Sequence, residues 1–158
     1  MIRNAITEDK VSLLAIAEAT GLFSPQELDG FGEMMSEHLG SQGESENFWI
    51  TDDENGLVGA AYYAPEPFSE GVWNLYFIGI LPSEQGKGRG TALIRHVEEV
   101  LKERGERLLL VETSGVDSFE QTRSFYRKNG YDEEARIRDY YKAGDDKIIF
   151  RKALNCPA

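Results

Sequence analysis

With 158 residues the chain has room for one domain with a core of ordinary size, and residues 1–158 are read as a single domain. A formal net charge of −11 argues against nucleic acid and anionic membrane surfaces as partners, and no apolar run reaches the roughly 18 residues that cross a bilayer. A lone cysteine, Cys156, allows no internal disulfide and no secretory leader is visible, so the expected setting is cytoplasmic.

Residues 1–70 carry 14 acidic and 2 basic side chains, whereas residues 71–158 carry 14 and 15. The acidic half either attracts a cationic partner or is simply a solvated surface. Ile2 to Ile6 reads as a short strand. Thr7 caps a helix whose apolar positions Val11, Leu14, Ala15 and Ala19 recur at helical spacing, and Gly21 ends it. Ser24-Pro25-Gln26-Glu27 starts a second helix, with Ser24 as cap, Pro25 in the first turn and Glu27 completing a capping box. That helix runs through Phe31, Met34, Met35 and His38 to Gly40. After a polar loop at 41–46, Phe48 to Thr51 and Leu57 to Ala64 form a hairpin about Asp53-Glu54-Asn55-Gly56. Trp73 to Leu81 is an apolar strand. Gly90 to Arg104 is a helix with Leu93, Val97, Val100, Leu101 and Arg104 on one face and Glu98, Glu99, Lys102 and Glu103 largely elsewhere. Leu108 to Thr113 is a buried strand, a helix follows from about Asp117 to Lys128, and Tyr131 to Tyr141 pairs with Lys147 to Leu154 about Gly144-Asp145-Asp146. The order is that of a mixed α/β (α+β) fold.

The chemistry concentrates in Leu-Pro-Ser-Glu-Gln-Gly-Lys-Gly-Arg-Gly-Thr-Ala-Leu, residues 81–93. A strand stops at Pro82, glycines at 86, 88 and 90 alternate with Lys87 and Arg89, and a helix begins at once. Strand, glycine-rich loop and helix N-terminus together form an anion site, because bare N–H groups converge and the helix dipole adds positive potential. Lys87 and Arg89 are expected to add charge at its rim. No Ser or Thr follows Lys87, as a P-loop requires, and the glycine spacing is not that of a dinucleotide fingerprint. The spacing that fits is Gln/Arg-x-x-Gly-x-Gly/Ala, met by Gln85, Gly88 and Gly90. This resembles the pyrophosphate loop of the GNAT N-acetyltransferase superfamily, which binds acetyl-CoA. Thr122 to Tyr131, a helix carrying Phe125-Tyr126 and stopping at Asn129-Gly130, resembles that superfamily's second signature.

The resemblance implies a central mixed, mostly antiparallel sheet flanked by helices, with splayed strands forming the acyl-CoA cleft. It assigns the cofactor's pantetheine to the main chain about Ile78, Gly79 and Ile80, and its pyrophosphate to Gln85, Gly86, Lys87, Gly88, Arg89, Gly90 and Thr91. Gly79 marks either a bulge, a close backbone approach or relief of crowding in the core. The implied reaction is direct attack of an amine on the thioester through a tetrahedral intermediate, with an N–H near Gly79 or Ile80 holding the oxyanion. Tyr126 matches the tyrosine that faces the cofactor sulfur and protonates the leaving thiolate; the other reading is a core aromatic beside Phe125.

The family's glutamate, eleven residues before Gln85, is here Asn74, which orients water but takes no proton. Glu112 is the substitute base if burial raises its pKa, or else a carboxylate bonded to backbone or to Arg123; Glu70 and Asp139 stay open. Phe119 and Thr122 stand where the second signature often has Asn and Ala. Arg123 and Arg127 either meet phosphate in compensation or pair with surface acids. His38 and His96 have no spaced partners, so no metal is expected. A substrate pocket is expected from the two N-terminal helices, residues 66–71 and the final hairpin, with Phe23, Phe31, Met34, Met35, Phe68, Trp73, Tyr76, Tyr140 and Tyr141 as its apolar surface. The implied activity is acetyl-CoA-dependent acetylation of a primary amine, a small molecule or peptide and plausibly cationic. Alternatives are an acetyltransferase for protein N-termini or lysines, a non-catalytic acyl-CoA sensor favoured by Asn74, and a nucleotide-binding protein; a homodimer is the further partner considered.

Overall fold

The chain forms seven strands and four helices in a computed structural model that describes residues 1–40 and 47–154. The expected loop at 41–46 and Cys156 lie outside the described residues. In chain order the elements are β1 (Ile2–Asn4), α1 (Lys10–Ala19), α2 (Pro25–Gly40), β2 (Phe48–Asp53), β3 (Leu57–Pro65), β4 (Val72–Ile80), α3 (Arg89–Glu103), β5 (Leu108–Ser114), α4 (Glu120–Lys128), β6 (Asp132–Lys142) and β7 (Asp145–Ala153). The sheet order is β1-β2-β3-β4-β5-β7-β6. β1 with β2, β2 with β3, β5 with β7 and β6 with β7 are antiparallel. β4 and β5 are parallel, Val72–Leu75 against Leu108–Val111; β4 then runs on to Ile80, and β5 continues against β7 from Glu112↔Ile149 to Ser114↔Lys147. This is the mixed, mostly antiparallel sheet that the resemblance implies. Packing divides the chain into two compact units, Met1–Ala64 with Phe77–Val97, and Pro65–Tyr76 with the chain from Glu98 onward.

In the first unit the capping box at Ser24 forms as expected. The Glu27 N–H donates to Ser24 Oγ at 3.2 Å, and the Ser24 N–H donates to Glu27 Oε1 at 3.1 Å. The first helix differs from its expectation. Thr7 lies inside a 3-10 turn, Thr7–Asp9, and the Ile6 N–H is taken by Asp9 Oδ2 at 2.8 Å, so α1 starts only at Lys10. Its buried face is Leu13, Ile16 and Ala17, while Val11 is 79% exposed. Alternation within an alanine-rich segment left two helical phases open, and packing against α2 chose between them. Phe31 of α2 meets Phe23 at 5.0 Å, Trp49 at 5.3 Å and Phe77 at 5.4 Å between ring centroids, and Trp49 stacks on Tyr62 at 4.8 Å. Gly59 has no room for a side chain: a Cβ there would stand 2.6 Å from Ile80 Cδ1 and 3.3 Å from the Gly79 carbonyl oxygen.

The second unit is built on Trp73, Leu75, Leu109, Val111, Tyr126, Ile148 and Phe150, all buried. The helix α4 ends in a Schellman motif: Tyr131 N–H donates to Tyr126 O at 3.0 Å and Gly130 N–H to Arg127 O at 3.1 Å, with Gly130 at φ +90°. The expected face of α3 is corrected here. Glu98 is only 3% exposed, lying on the buried stripe, whereas Arg104 is exposed and covers the Trp73 ring at 5.0 Å. The Glu98 carboxylate survives burial because Tyr131 Oη and Lys152 Nζ each donate to it at 2.8 Å.

A buried carboxylate stripped of its cation is left with an unanswered desolvation cost. Lys152→Met should therefore lower stability by about 2–4 kcal/mol. The double variant Glu98→Leu/Lys152→Met should recover most of that loss, read as denaturation midpoints of the three proteins.

Candidate functional site

The glycine loop belongs wholly to the first unit. Pro82 opens a 3-10 turn, Pro82–Glu84, and Gln85 follows in extended conformation. Gly86 and Gly88 then take φ +77° and +80°, left-handed values that strain any residue with a Cβ. The Ala92 N–H donates to Gly88 O at 3.0 Å, which makes Gly88 the cap of α3 and puts Arg89, Gly90 and Thr91 in its first turn. Among the described residues, the N–H groups of residues 86–91 donate to no protein acceptor. A Cβ built at Gly86 or Gly88 would meet nothing within 4 Å, so this face of the main chain is open. The arrangement fits a phosphate or pyrophosphate.

Side chains of the loop do other work than expected. Gln85 Nε2 donates to Ile80 O at 3.1 Å and so pins the loop to the end of β4, beside Ile78 and Gly79. Arg89 is not a rim charge: its guanidinium bonds Glu84 Oε2 and Asp52 Oδ2, each at 3.0 Å, and these partners raise its pKa further. Lys87 is exposed and pairs with Glu84 at 3.3 Å. Space at Gly79 is taken on one side by Phe77 and Thr20, 2.7 and 3.0 Å from where a Cβ would stand, so core crowding accounts for this glycine.

In the second unit Asn74 and Glu112 are brought together, and with them two residues that sequence reasoning passed over, Glu66 and Lys147. Asn74 is 1% exposed, and its Nδ2 donates to Glu66 Oε1 at 2.6 Å and to Glu112 Oε2 at 3.2 Å. Its Oδ1 is buried and has no partner among the described residues. The Tyr76 hydroxyl adds a bond to Glu66 Oε1 at 3.3 Å. Glu112 is not buried as expected: its side chain is 28% exposed, and its partner is Lys147 Nζ at 2.8 Å rather than Arg123. Lys147 also lies 4.1 Å from the Tyr140 ring centroid. Burial lowers the Lys147 pKa, but the Glu112 carboxylate and Tyr140 outweigh it and leave it raised. A polar Asn in the apolar run Trp73–Leu81 was the available signal, because a buried amide needs partners.

Tyr126 lies in the same unit, packed against Phe125 at 5.4 Å, Phe150 at 5.5 Å and Tyr131 at 6.1 Å. Burial pushes its phenol well above the ordinary value, so it stays protonated at neutral pH. Arg123 is turned inward onto Ser114 O and Val116 O, each at 2.8 Å, and onto Glu120, and Arg127 pairs with Glu120 and Glu133. The reading in which they pair with acids is therefore the one observed. Glu70 is exposed and offers its carbonyl to Arg107, while Asp139, at φ +56°, accepts the Gly144 N–H in the last hairpin. Of the expected pocket residues, Met35 and Trp73 are core, while Phe68, Tyr76, Tyr140 and Tyr141 are exposed. Between α1 and α2 lies a shallow groove of about 300 Å³ lined by Leu14, Glu18, Pro25, Leu28 and Asp29. Among the described residues no helix is long and apolar enough to cross a membrane, and no cluster of three or more His, Cys, Asp or Glu side chains is arranged to hold a metal ion.

Residues 44–133 match the family model described as acetyltransferase (GNAT) domain. A protein of the GNAT acetyltransferase family from Desulfovibrio desulfuricans is 34% identical across 98% of this chain and 99% of its own, with a TM-score of 0.92. The ribosomal-protein-S18-alanine N-acetyltransferase of Escherichia coli shares the fold at 21% identity, 100% and 96% coverage and a TM-score of 0.79. So does the PaiA N-acetyltransferase of Thermoplasma acidophilum, solved with coenzyme A, at 20% identity, 97% and 98% coverage and a TM-score of 0.76. No curated protein sequence matches the chain. With more than half its length matched by the family model, and a third of its residues shared with a relative over its whole extent, the chain belongs to the GNAT family of acetyltransferases.

Proposed function

We propose that this acetyltransferase moves the acetyl group of acetyl-CoA to a primary amine, small or peptidic, in the cytoplasm. The open row of N–H groups at residues 86–91, at the N-terminus of a 15-residue helix, carries this reading. It offers a pyrophosphate main-chain donors already in place, so little ordering is needed on binding. Relatives of the same fold are named for coenzyme A complexes and for amine acceptors, an aminoglycoside and a ribosomal-protein alanine among them, and this supports the amine.

Acetyl-CoA supplies the acyl group as a thioester. The main chain at Ile78, Gly79 and Ile80 pairs with its pantetheine arm, and the N–H of Gly79 or Ile80 stabilises negative charge developing on the carbonyl oxygen. Gly86, Lys87, Gly88, Arg89, Gly90 and Thr91 hold the pyrophosphate through their N–H groups, with Gln85 fixing the loop. Tyr126 keeps its proton until sulfur leaves, then gives it up from Oη. Asn74 and Glu112 face the amine; Glu112 neutralises Lys147, which would otherwise repel a cationic acceptor.

Thiol release from acetyl-CoA, with an N-terminal-alanine peptide, an aminoglycoside and a polyamine as acceptors, tests the reading. Tyr126→Phe should slow amine-dependent release by about 10²–10³-fold with acetyl-CoA affinity unchanged. Turnover within a few-fold of wild type would leave Tyr126 as a core aromatic. Gly88→Asp, which puts a carboxylate into the anion site, should raise the acetyl-CoA Kd at least about tenfold by calorimetry while the thermal midpoint stays within about 4 °C of wild type.

A further inference from the structure

We infer that Glu66 is the carboxylate that takes the proton from the attacking amine, and that Asn74 is its positioning residue; the inference rests on the acetyl transfer proposed above. A general base needs an oxygen that is free to receive a proton and fixed in place. Glu112 offers neither oxygen, since Oε1 meets the Lys147 ammonium and Oε2 the Asn74 amide. Glu66 differs in each respect. It has no cation partner among the described residues, and its donors, Asn74 and Tyr76, both bind Oε1, which leaves Oε2 open.

Its placement is local and firm. Glu66 lies just beyond β3, between Pro65 and Pro67, and its own N–H donates to Val72 O at 2.8 Å, closing the β3–β4 hairpin. The prolines restrict the backbone on either side. Asn74 and Tyr76 are two residues apart on β4, so their side chains leave the same face and converge on one oxygen. The buried Asn74 Oδ1, without a partner among the described residues, points independently to a donor ligand. An acceptor without a donor is costly inside a protein, and an amine carries N–H groups to spare.

The proton and electron count closes. Glu66 Oε2 takes one proton from R–NH3⁺, and the freed lone pair forms the C–N bond to the acetyl carbon. The C–S bond breaks with its pair on sulfur, which takes the Tyr126 proton. The second nitrogen proton restores the Tyr126 phenol through solvent, and Glu66 releases its proton to water. The products are the amide, the thiol and one proton.

Steady-state rates with the N-terminal-alanine peptide and the aminoglycoside, measured against pH, separate the two carboxylates. Glu66→Gln should lower kcat by about 10²–10⁴-fold with acetyl-CoA affinity unchanged. Its rate should keep rising with pH where wild type has reached a plateau, since only amine already deprotonated in solution can react. Glu66→Asp, which keeps the carboxylate, should recover part of kcat. Glu112→Gln should act mainly on the acceptor's KM, through the unmasked Lys147. A Glu66→Gln enzyme within threefold of wild type, or the continued rise with pH appearing in Glu112→Gln instead, would overturn the assignment alone. Absence of acetyl transfer by wild type to any amine would take the assignment down together with the proposed function.

Discussion

Two carboxylates held side by side in a half-buried cluster repel each other unless a donor stands between them. In this protein the donor is a single amide. Asn74 gives one N–H to Glu66 and the other to Glu112, so mutual repulsion is replaced by two charge-assisted hydrogen bonds. The constraint reaches through the second unit. Glu66 comes from the β3–β4 connection, Asn74 from β4, Glu112 from β5 and Lys147 from β7. Lys147 is also what makes the two carboxylates unequal. It is 9% exposed, and burial alone would favour losing its proton, but Glu112 and the Tyr140 ring hold it charged. One negative charge is thereby spoken for and the other is not.

For the proposed pyrophosphate the first unit has the opposite requirement, to hold an anion although much of it comes from the acidic half of the chain. Side-chain cations serve poorly there because a carboxylate is always within reach. Arg89 is drawn onto Asp52 and Glu84, and Lys87 onto Glu84. Backbone N–H groups and a helix dipole are fixed in the main chain and are not drawn away in this manner, and the left-handed turns at Gly86 and Gly88 favour residues without a side chain. Among the described residues the N–H groups of the loop stay open while the basic side chains between the glycines are paired.

What could be read from sequence was what depends on near neighbours. The capping box at Ser24, the Asn55-Gly56 turn, the helix stop at Gly130 and the strand–loop–helix about Gly88 are written within a few residues each, and the order of elements followed from them. The same was not true of buried polar groups, whose partners are remote. Glu98 meets Lys152 across 54 positions and Asn74 meets Glu112 across 38. Nothing in the periodicity of α3 distinguishes a solvent-facing glutamate from one answered by Lys152 and Tyr131. The phase of α1 failed for a related reason: several alanines fit either face, and the decision lay with Met35, Leu39 and the aromatic cluster about Phe31. Asn74 was legible as a departure from the family pattern, but its meaning required Glu66, which carries no motif of its own.

The departure at position 74 and the carboxylate at 66 follow from one charge constraint. A glutamate at 74 would stand against both Glu66 and Glu112, three carboxylates with Lys147 as the one ammonium bonded into the cluster among the described residues. A carboxylate there would repel both neighbours, and the hydrogen bonds that now organise the site would lose their donor. An amide at that position removes the excess charge and supplies both donors. With the proposed base in the β3–β4 connection that leads into this strand, an uncharged donor at position 74 serves it without adding a further negative charge. On the proposed assignment Asn74 is part of a relocated base rather than the loss of one, and so it does not favour a protein that binds acetyl-CoA without using it.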